Sequence, residues 1–225
     1  MSKAAHVELQ FEDMEQQTHT VTLGMWTFLA TEILFFGVLF VAYTMLRMRW
    51  QEAFRHGSED LKLWIGGANT AILLTSSTFM ALAVRAAKIG DAKWLMIHLA
   101  ITVLFGLAFL GLKATEYYLE TKEHLVPQIN FSRIAPDEQD KPPAQQHPRP
   151  DIEELFMGFY FIMTAFHAIH MIVGISVLIV LILLAKYRHF SPEYHNPVEV
   201  AGLYWHFVDI VWVFLYPALY LLRQS

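Results

Sequence analysis

One acidic side chain interrupts the first long apolar stretch of the chain. Glu32 lies inside the segment Trp26-Thr-Phe-Leu-Ala-Thr-Glu-Ile-Leu-Phe-Phe-Gly37, whose other residues carry no charge. An ionisable group inside a bilayer is costly and generally faces a partner or a cavity. Glu32 is therefore predicted either to relay protons or to stay protonated and hydrogen-bonded, where it would join helices or touch a lipid headgroup.

A second set of polar residues could form a metal site. His167 and His170 are spaced i, i+3 in one apolar stretch, His206 and Asp209 have the same spacing in another, and Glu116 ends a third. Residues at this spacing share a helix face. Imidazole and carboxylate ligands would suit a metal of borderline or hard character. The alternative is that these groups hydrogen-bond across helices in place of water.

Cysteine chemistry is excluded, because the chain contains no cysteine.

A haem with two histidine ligands remains possible, because the apolar stretches contain enough histidines, although no spacing singles out a pair. The histidines available for it are His98, His167, His170 and His206.

One apolar stretch is rich in small and hydroxyl-bearing residues. They are Gly66, Gly67, Asn69, Thr70, Thr75, Ser76, Ser77 and Thr78. Such residues allow helices to approach closely inside a membrane. We therefore predict that this stretch packs against other helices and does not bind substrate.

The elements that position these residues are predicted to be membrane helices. The chain is 55% hydrophobic and 16% charged, whereas a soluble domain is about 25% charged. A bilayer-spanning helix needs about 20 mainly apolar residues. Five such helices are predicted in one domain over residues 1–225, in a three-plus-two arrangement on either side of a linker at 119–153. Their bounds are about 22–46, 63–87, 92–118, 155–185 and 199–223.

Neither the N-terminal region nor the net charge suggests another class of protein. The N-terminal region holds Glu8, Glu12, Asp13 and Glu15 and lacks the basic start of a signal peptide. The first apolar stretch is therefore expected to remain in the mature protein. The net charge of −5 and the absence of a basic patch indicate no nucleic-acid partner.

Several segments together resemble subunit III of the haem-copper respiratory oxidases. Tyr204-Trp-His-Phe-Val-Asp-Ile-Val-Trp-Val-Phe-Leu-Tyr216 is similar to the last helix of cytochrome c oxidase subunit III. Phe166-His-Ala-Ile-His-Met-Ile-Val-Gly174 resembles its F-H-G-L-H-V-x-x-G segment, with Ala168 in place of the usual glycine. Gly111-Leu-Lys-Ala-Thr-Glu-Tyr117 resembles its G-x-x-x-x-E-Y segment, and Glu32 matches the family's membrane-buried glutamate. The segments occur in family order.

The resemblance implies the shorter, five-helix form of an accessory subunit in aerobic electron transport. Such a subunit has no catalytic residues, haem, copper or other metal of its own, and the haem and copper lie in partner subunits. It packs against subunit I, belongs to a complex with subunit II and other respiratory subunits, supports proton uptake and subunit stability, and binds phospholipid. The phosphate candidates near the membrane boundary are Arg85, Lys186 and Arg188. The residues expected either to join a buried polar network or to have a proton-related role are Glu32, Glu116, His167, His170, His206 and Asp209.

The same resemblance implies a location and leaves the electron donor open. It implies a multi-pass protein of the bacterial cell membrane, with the N-terminus cytoplasmic and the C-terminus outside, although the distribution of basic residues leans weakly the other way. A quinol oxidase subunit or a subunit-III-like protein of a nitric oxide reductase is the related alternative. A self-contained membrane metalloenzyme or a channel is the alternative of another class.

Overall fold

The chain folds into long helices. The computed structural model describes residues 10–59, 61–127, 150–187, 190–192 and 194–221, and within these ranges it contains six α-helices and no β-strand. The helices are α1 (Met14–Arg49), α2 (Gln51–Glu59), α3 (Leu63–Lys88), α4 (Ala92–Lys122), α5 (Pro150–Lys186) and α6 (Asn196–Tyr220). All but α2 are long and apolar enough to cross a membrane. The predicted all-α integral membrane fold is confirmed.

Helix bounds depart from the prediction mainly at the polar ends. α1 begins at Met14, well before its apolar stretch, because the side chain of Asp13 accepts a hydrogen bond from the backbone N–H of Gln16 at 2.7 Å. The predicted linker at 119–153 is shorter than expected, since α4 continues to Lys122 and α5 begins at Pro150. Its central part, 128–149, lies outside the described residues.

A short helix, α2, lies between the first two predicted spans, where no helix was expected. α2 has one apolar face, with Phe54 fully buried. Phe54 contacts Phe156 of α5 edge to face, with 5.5 Å between the ring centroids, and Gly57 lies where an added Cβ would meet the same ring. α2 therefore covers the beginning of α5.

Four helices form a closed ring and the fifth long helix lies outside it. α3 packs along α4, α4 along α5, α5 along α6, and α6 back along α3, while α1 lies against α6 and α5. Of the most apolar 18-residue stretch of each helix, 17% of the residues are buried in α1 and 56% in α6. The structure does not show the predicted three-plus-two arrangement.

The hydroxyl-bearing residues of α3 contact the last helix, as the packing prediction requires. The indole N–H of Trp205 donates to Ser76 Oγ at 3.2 Å, and that of Trp212 donates to Thr70 Oγ1 at 3.1 Å. A Cβ added at Gly66 would lie 2.9 Å from the ring of Tyr216. Small α3 residues thus make room for the large aromatic side chains of α6.

Candidate functional site

A buried lysine is the centre of the most extensive polar cluster. The ammonium of Lys113 donates to Glu116 Oε2 at 2.8 Å, to the hydroxyl of Tyr160 at 2.9 Å and to the hydroxyl of Tyr220 at 3.0 Å. A lysine ammonium has three N–H donors, so every donor has a partner. Lys113 is 3% exposed and Glu116 is fully buried. The cluster joins α4, α5 and α6.

The two phenols extend this cluster beyond the lysine. The hydroxyl of Tyr220 accepts from Lys113 and donates to the carboxylate of Glu116, at 2.9 Å from Oε1. The hydroxyl of Tyr160 also accepts from Lys113, and it interacts with the carboxyl group of Glu120, which is 1% exposed. Glu116 therefore binds the ammonium both directly and through Tyr220, whereas the buried oxygens of Glu120 lie near Tyr160 without a hydrogen-bond partner among the described residues.

The sequence reasoning identified Glu116 but missed Lys113, Glu120 and both tyrosines. Lys113 appeared there only within the segment 111–117 that carries the family resemblance. A signal was present, because Lys113, Glu116 and Glu120 are spaced i, i+3, i+7 and so share one helix face.

Glu32 has its partner on another helix. Its Oε2 lies 3.0 Å from Nε2 of His170, while Nδ1 of that ring lies 2.8 Å from the carbonyl oxygen of Phe166. A carbonyl oxygen only accepts, so Nδ1 of His170 carries a proton. Nε2 then either accepts the proton of a neutral Glu32 or, as an imidazolium, donates to its carboxylate. The pair shares one proton between α1 and α5.

A third polar group lies between α3 and α6. Nδ1 of His206 lies 2.7 Å from Oγ of Ser77. The carboxyl group of Asp209 is 3% exposed and lies near the same hydroxyl, but neither of its oxygens has a hydrogen-bond partner among the described residues. Ser77 was assigned to helix packing from the sequence, and it also bonds His206.

His167 behaves as an aromatic core residue. It is 1% exposed, and neither ring nitrogen has a hydrogen-bond partner among the described residues. Its ring packs edge to face on Phe109 at 5.3 Å and against Trp212 at 5.2 Å, measured between ring centroids. His170, one turn later, is therefore the histidine of this segment that makes polar contacts.

The structure does not join the predicted polar residues into one network. Glu116 belongs to the Lys113 cluster, His170 pairs with Glu32, and His206 pairs with Ser77. The physical reason is that each helix turns its polar residues toward a different neighbour. Within the part of the chain that the structure describes, no group of three or more His, Asp or Glu side chains is arranged to hold a metal ion.

An apolar groove runs between α1 and α6. It encloses about 660 Å³, and Trp26, Leu29, Phe36 and Phe207 are among its lining residues. A recess of about 430 Å³ shares Trp26, Leu203 and His206 with it. Lys88 and Glu199 also line this recess.

Lys88 and Glu199 form an ion pair of 2.6 Å in the recess. Of the predicted phosphate candidates, Arg85 and Lys186 are exposed near the ends of their helices and line neither cavity. Arg188 lies outside the described residues. The basic residue that lines the recess is thus Lys88, which was not among the candidates predicted from the sequence.

Known proteins share this sequence over most of its length. The family model for cytochrome c oxidase subunit III matches residues 152–224. The chain is 34% identical over 203 residues to cytochrome c oxidase subunit 3 of Alkalihalophilus pseudofirmus, which covers 89% of this chain and 85% of that protein. It is 30% identical over 203 residues to that of Thermostichus vulcanus, covering 90% and 87%. The subunit 3 of Cyprinus carpio is 33% identical over 152 residues, covering 68% and 48%.

Proposed function

Because the chain belongs to the cytochrome c oxidase subunit III family, we propose that it serves as a non-catalytic subunit of a haem-copper oxidase. The observation that carries the proposal is the similarity to named subunit 3 proteins over nearly the whole chain, at 34% identity in one bacterial relative. In this role it contacts subunit I, stabilises it and supports its proton uptake, and the haem and copper belong to the partner subunits. The membrane is the bacterial cell membrane, with the N-terminus cytoplasmic and the C-terminus outside.

The side chains of this chain that could bind a metal support an accessory role. Glu116 is engaged by Lys113 and Tyr220, His170 by Glu32 and the carbonyl of Phe166. Contacts within and between helices satisfy these two groups in place of water. A metal would have to break these contacts before it could bind.

Purification of the tagged chain in its native complex tests this function. We expect the tagged chain to co-purify with a haem-containing subunit, and we expect the isolated chain to be colourless and free of stoichiometric metal.

Removing the chain should slow proton uptake at higher pH and shorten the working life of the oxidase, measured as oxygen consumption against time and pH. A metal that binds the isolated chain and is lost in His167→Ala would contradict the proposal.

Glu32→Gln should leave the initial rate of oxygen consumption close to that of the unmodified complex. The amide keeps the shape of the side chain and can still hydrogen-bond to Nε2 of His170, but it cannot exchange the shared proton. Glu32→Leu, which removes the hydrogen bond as well, is the matched variant and should weaken the contact between α1 and α5. An immediate, near-total loss of turnover in Glu32→Gln with the complex intact would identify Glu32 as an obligatory proton relay.

We also propose that the groove between α1 and α6 binds a phospholipid. Its apolar walls suit an acyl chain, and the Lys88–Glu199 pair in the adjoining recess offers both charges that a zwitterionic headgroup needs. The pairing of a 660 Å³ apolar groove with a charged recess supports this reading.

Mass spectrometry after gentle detergent extraction measures the lipid that the chain retains. Leu203→Trp fills the groove and should release it. Leu183→Trp is the control, since Leu183 is exposed on α5 and lines neither cavity. Equal retention of phospholipid by the two variants would place the lipid elsewhere.

A further inference from the structure

The hydroxyl of Ser77 lies between an imidazole and a buried carboxyl group. It is 2.7 Å from Nδ1 of His206, and it also interacts with Asp209, one turn further along α6. Asp209 is 3% exposed, and neither of its carboxyl oxygens has a hydrogen-bond partner among the described residues. A carboxyl group buried in this way needs a proton or a partner, because an unpaired buried charge is strongly unfavourable.

The imidazole of His206 connects this interior group with the groove. His206 is half-buried, and it lines both the apolar groove between α1 and α6 and the adjoining recess that holds Lys88 and Glu199. Its Nδ1 is directed at Ser77. The two nitrogens of an imidazole lie on different sides of the ring, so a proton can be received at one and released at the other.

A serine hydroxyl has one proton to donate, so it cannot donate to both neighbours at once. If Ser77 donates to an ionised Asp209, Nδ1 of His206 must be the donor to Ser77. If Asp209 is protonated, it donates to Ser77, and Ser77 donates to Nδ1. The protonation state of Asp209 therefore sets which nitrogen of His206 carries the proton.

We propose that Asp209 is an internal proton-binding site reached from the charged recess through His206 and Ser77. A proton arriving from the recess binds Nε2 of His206, Nδ1 passes its proton to Ser77 Oγ, and Ser77 passes its own proton to the carboxylate of Asp209. One proton enters and one O–H bond forms at Asp209, so the charge balances. The hydroxyl must rotate between its two neighbours, which fits its incomplete contact with Asp209.

The surrounding charges leave Asp209 without a competing partner. Lys88 of α3 is paired with Glu199, and Glu32 of α1 is paired with His170 of α5. His167 of α5 is held among aromatic rings. Among the described residues, no cationic side chain forms an ion pair with Asp209. The site is independent of the proposed oxidase role, since it rests only on groups of this chain.

Infrared difference spectroscopy of the full chain in lipid vesicles tests the relay. We expect a carboxylic-acid carbonyl band that disappears in Asp209→Asn. In Ser77→Ala this band should remain, but its shift after transfer to heavy water should be about a hundredfold slower, because the hydroxyl that passes the proton is gone. Ser77→Thr should restore the rate. Thr78→Ala is the matched control, since Thr78 is exposed and its hydroxyl bonds the carbonyl of Leu74 on its own helix.

A second measurement keeps the proposal open to refutation if Asp209→Asn fails to fold. Nitrogen NMR of labelled His206 reports which ring nitrogen is protonated. We expect the proton to move between Nδ1 and Nε2 as the pH is varied in the unmodified chain, and to stay on one nitrogen in Ser77→Ala. Unchanged exchange in Ser77→Ala, or a His206 tautomer that responds to pH equally in both proteins, would overturn the relay.

Discussion

Replacing Glu116 with alanine should lower the free energy of unfolding by about 3–5 kcal/mol, the cost of leaving a buried charge uncompensated. Glu116 is the carboxylate that pairs with the ammonium of Lys113 at 2.8 Å, and both side chains are almost completely buried. Without it, Lys113 keeps only the neutral phenols of Tyr160 and Tyr220 as hydrogen-bond partners. Titration of the detergent-solubilised chain with a denaturing detergent, followed by circular dichroism, measures the loss.

An exposed ion pair of the same type provides the control. Lys62 and Glu123 are 2.7 Å apart with side chains 39% and 44% exposed, and Glu123→Ala should cost less than about 1 kcal/mol. The double variant Lys113→Met with Glu116→Leu should lose less stability than Glu116→Ala, because it removes both charges together. Equal losses for Glu116→Ala and Glu123→Ala would show that the Lys113 cluster does not hold the bundle together.

Replacing Trp212 with alanine should lower the free energy of unfolding by about 3–5 kcal/mol, as expected for truncating a fully buried aromatic residue. Trp212 is fully buried, contacts Phe109 edge to face at 4.8 Å between ring centroids, and lies against His167. Inside a membrane the loss is mainly one of packing contacts, since lipid is as apolar as the protein interior. The same detergent titration measures it.

Two variants separate packing from hydrogen bonding in this result. Trp64→Ala should have little effect, because the side chain of Trp64 is 90% exposed. Trp212→Phe keeps a ring in place but removes the hydrogen bond to Thr70, so its loss should lie between the other two. Comparable losses for Trp64→Ala and Trp212→Ala would contradict the central position of Trp212 among α3, α4, α5 and α6.

The polar groups of this protein have separate structural consequences. The Lys113 cluster ties α4, α5 and α6 together, and the Glu32–His170 pair attaches α1, the helix outside the ring. The group formed by Ser77, His206 and Asp209 connects α3 with α6 beside the groove. A variant in one group therefore need not disturb the others, because residues without shared partners act nearly independently.

The sequence by itself determined the membrane spans and the family. Lipid cannot hydrogen-bond the backbone, so each long apolar stretch had to be a helix, and the structure confirms five of them. The motifs around Glu116, His170 and His206 were sufficient to indicate the family. The short helix α2 could not be predicted from the sequence, because a helix of nine residues is not stable by itself. It gains its stability by packing on α5.

Only the tertiary structure decided which polar residues meet. α1 is apolar on all its sides, so its sequence does not reveal which face turns toward α5, and the partner of Glu32 lies 138 residues away. The partners of Lys113 also come from distant segments, since the folded chain places Tyr160 and Tyr220 around it. Spacing along one helix fixes which residues share a face. The rotation and neighbours of that helix, which select the contacts, follow from side-chain packing among all five long helices.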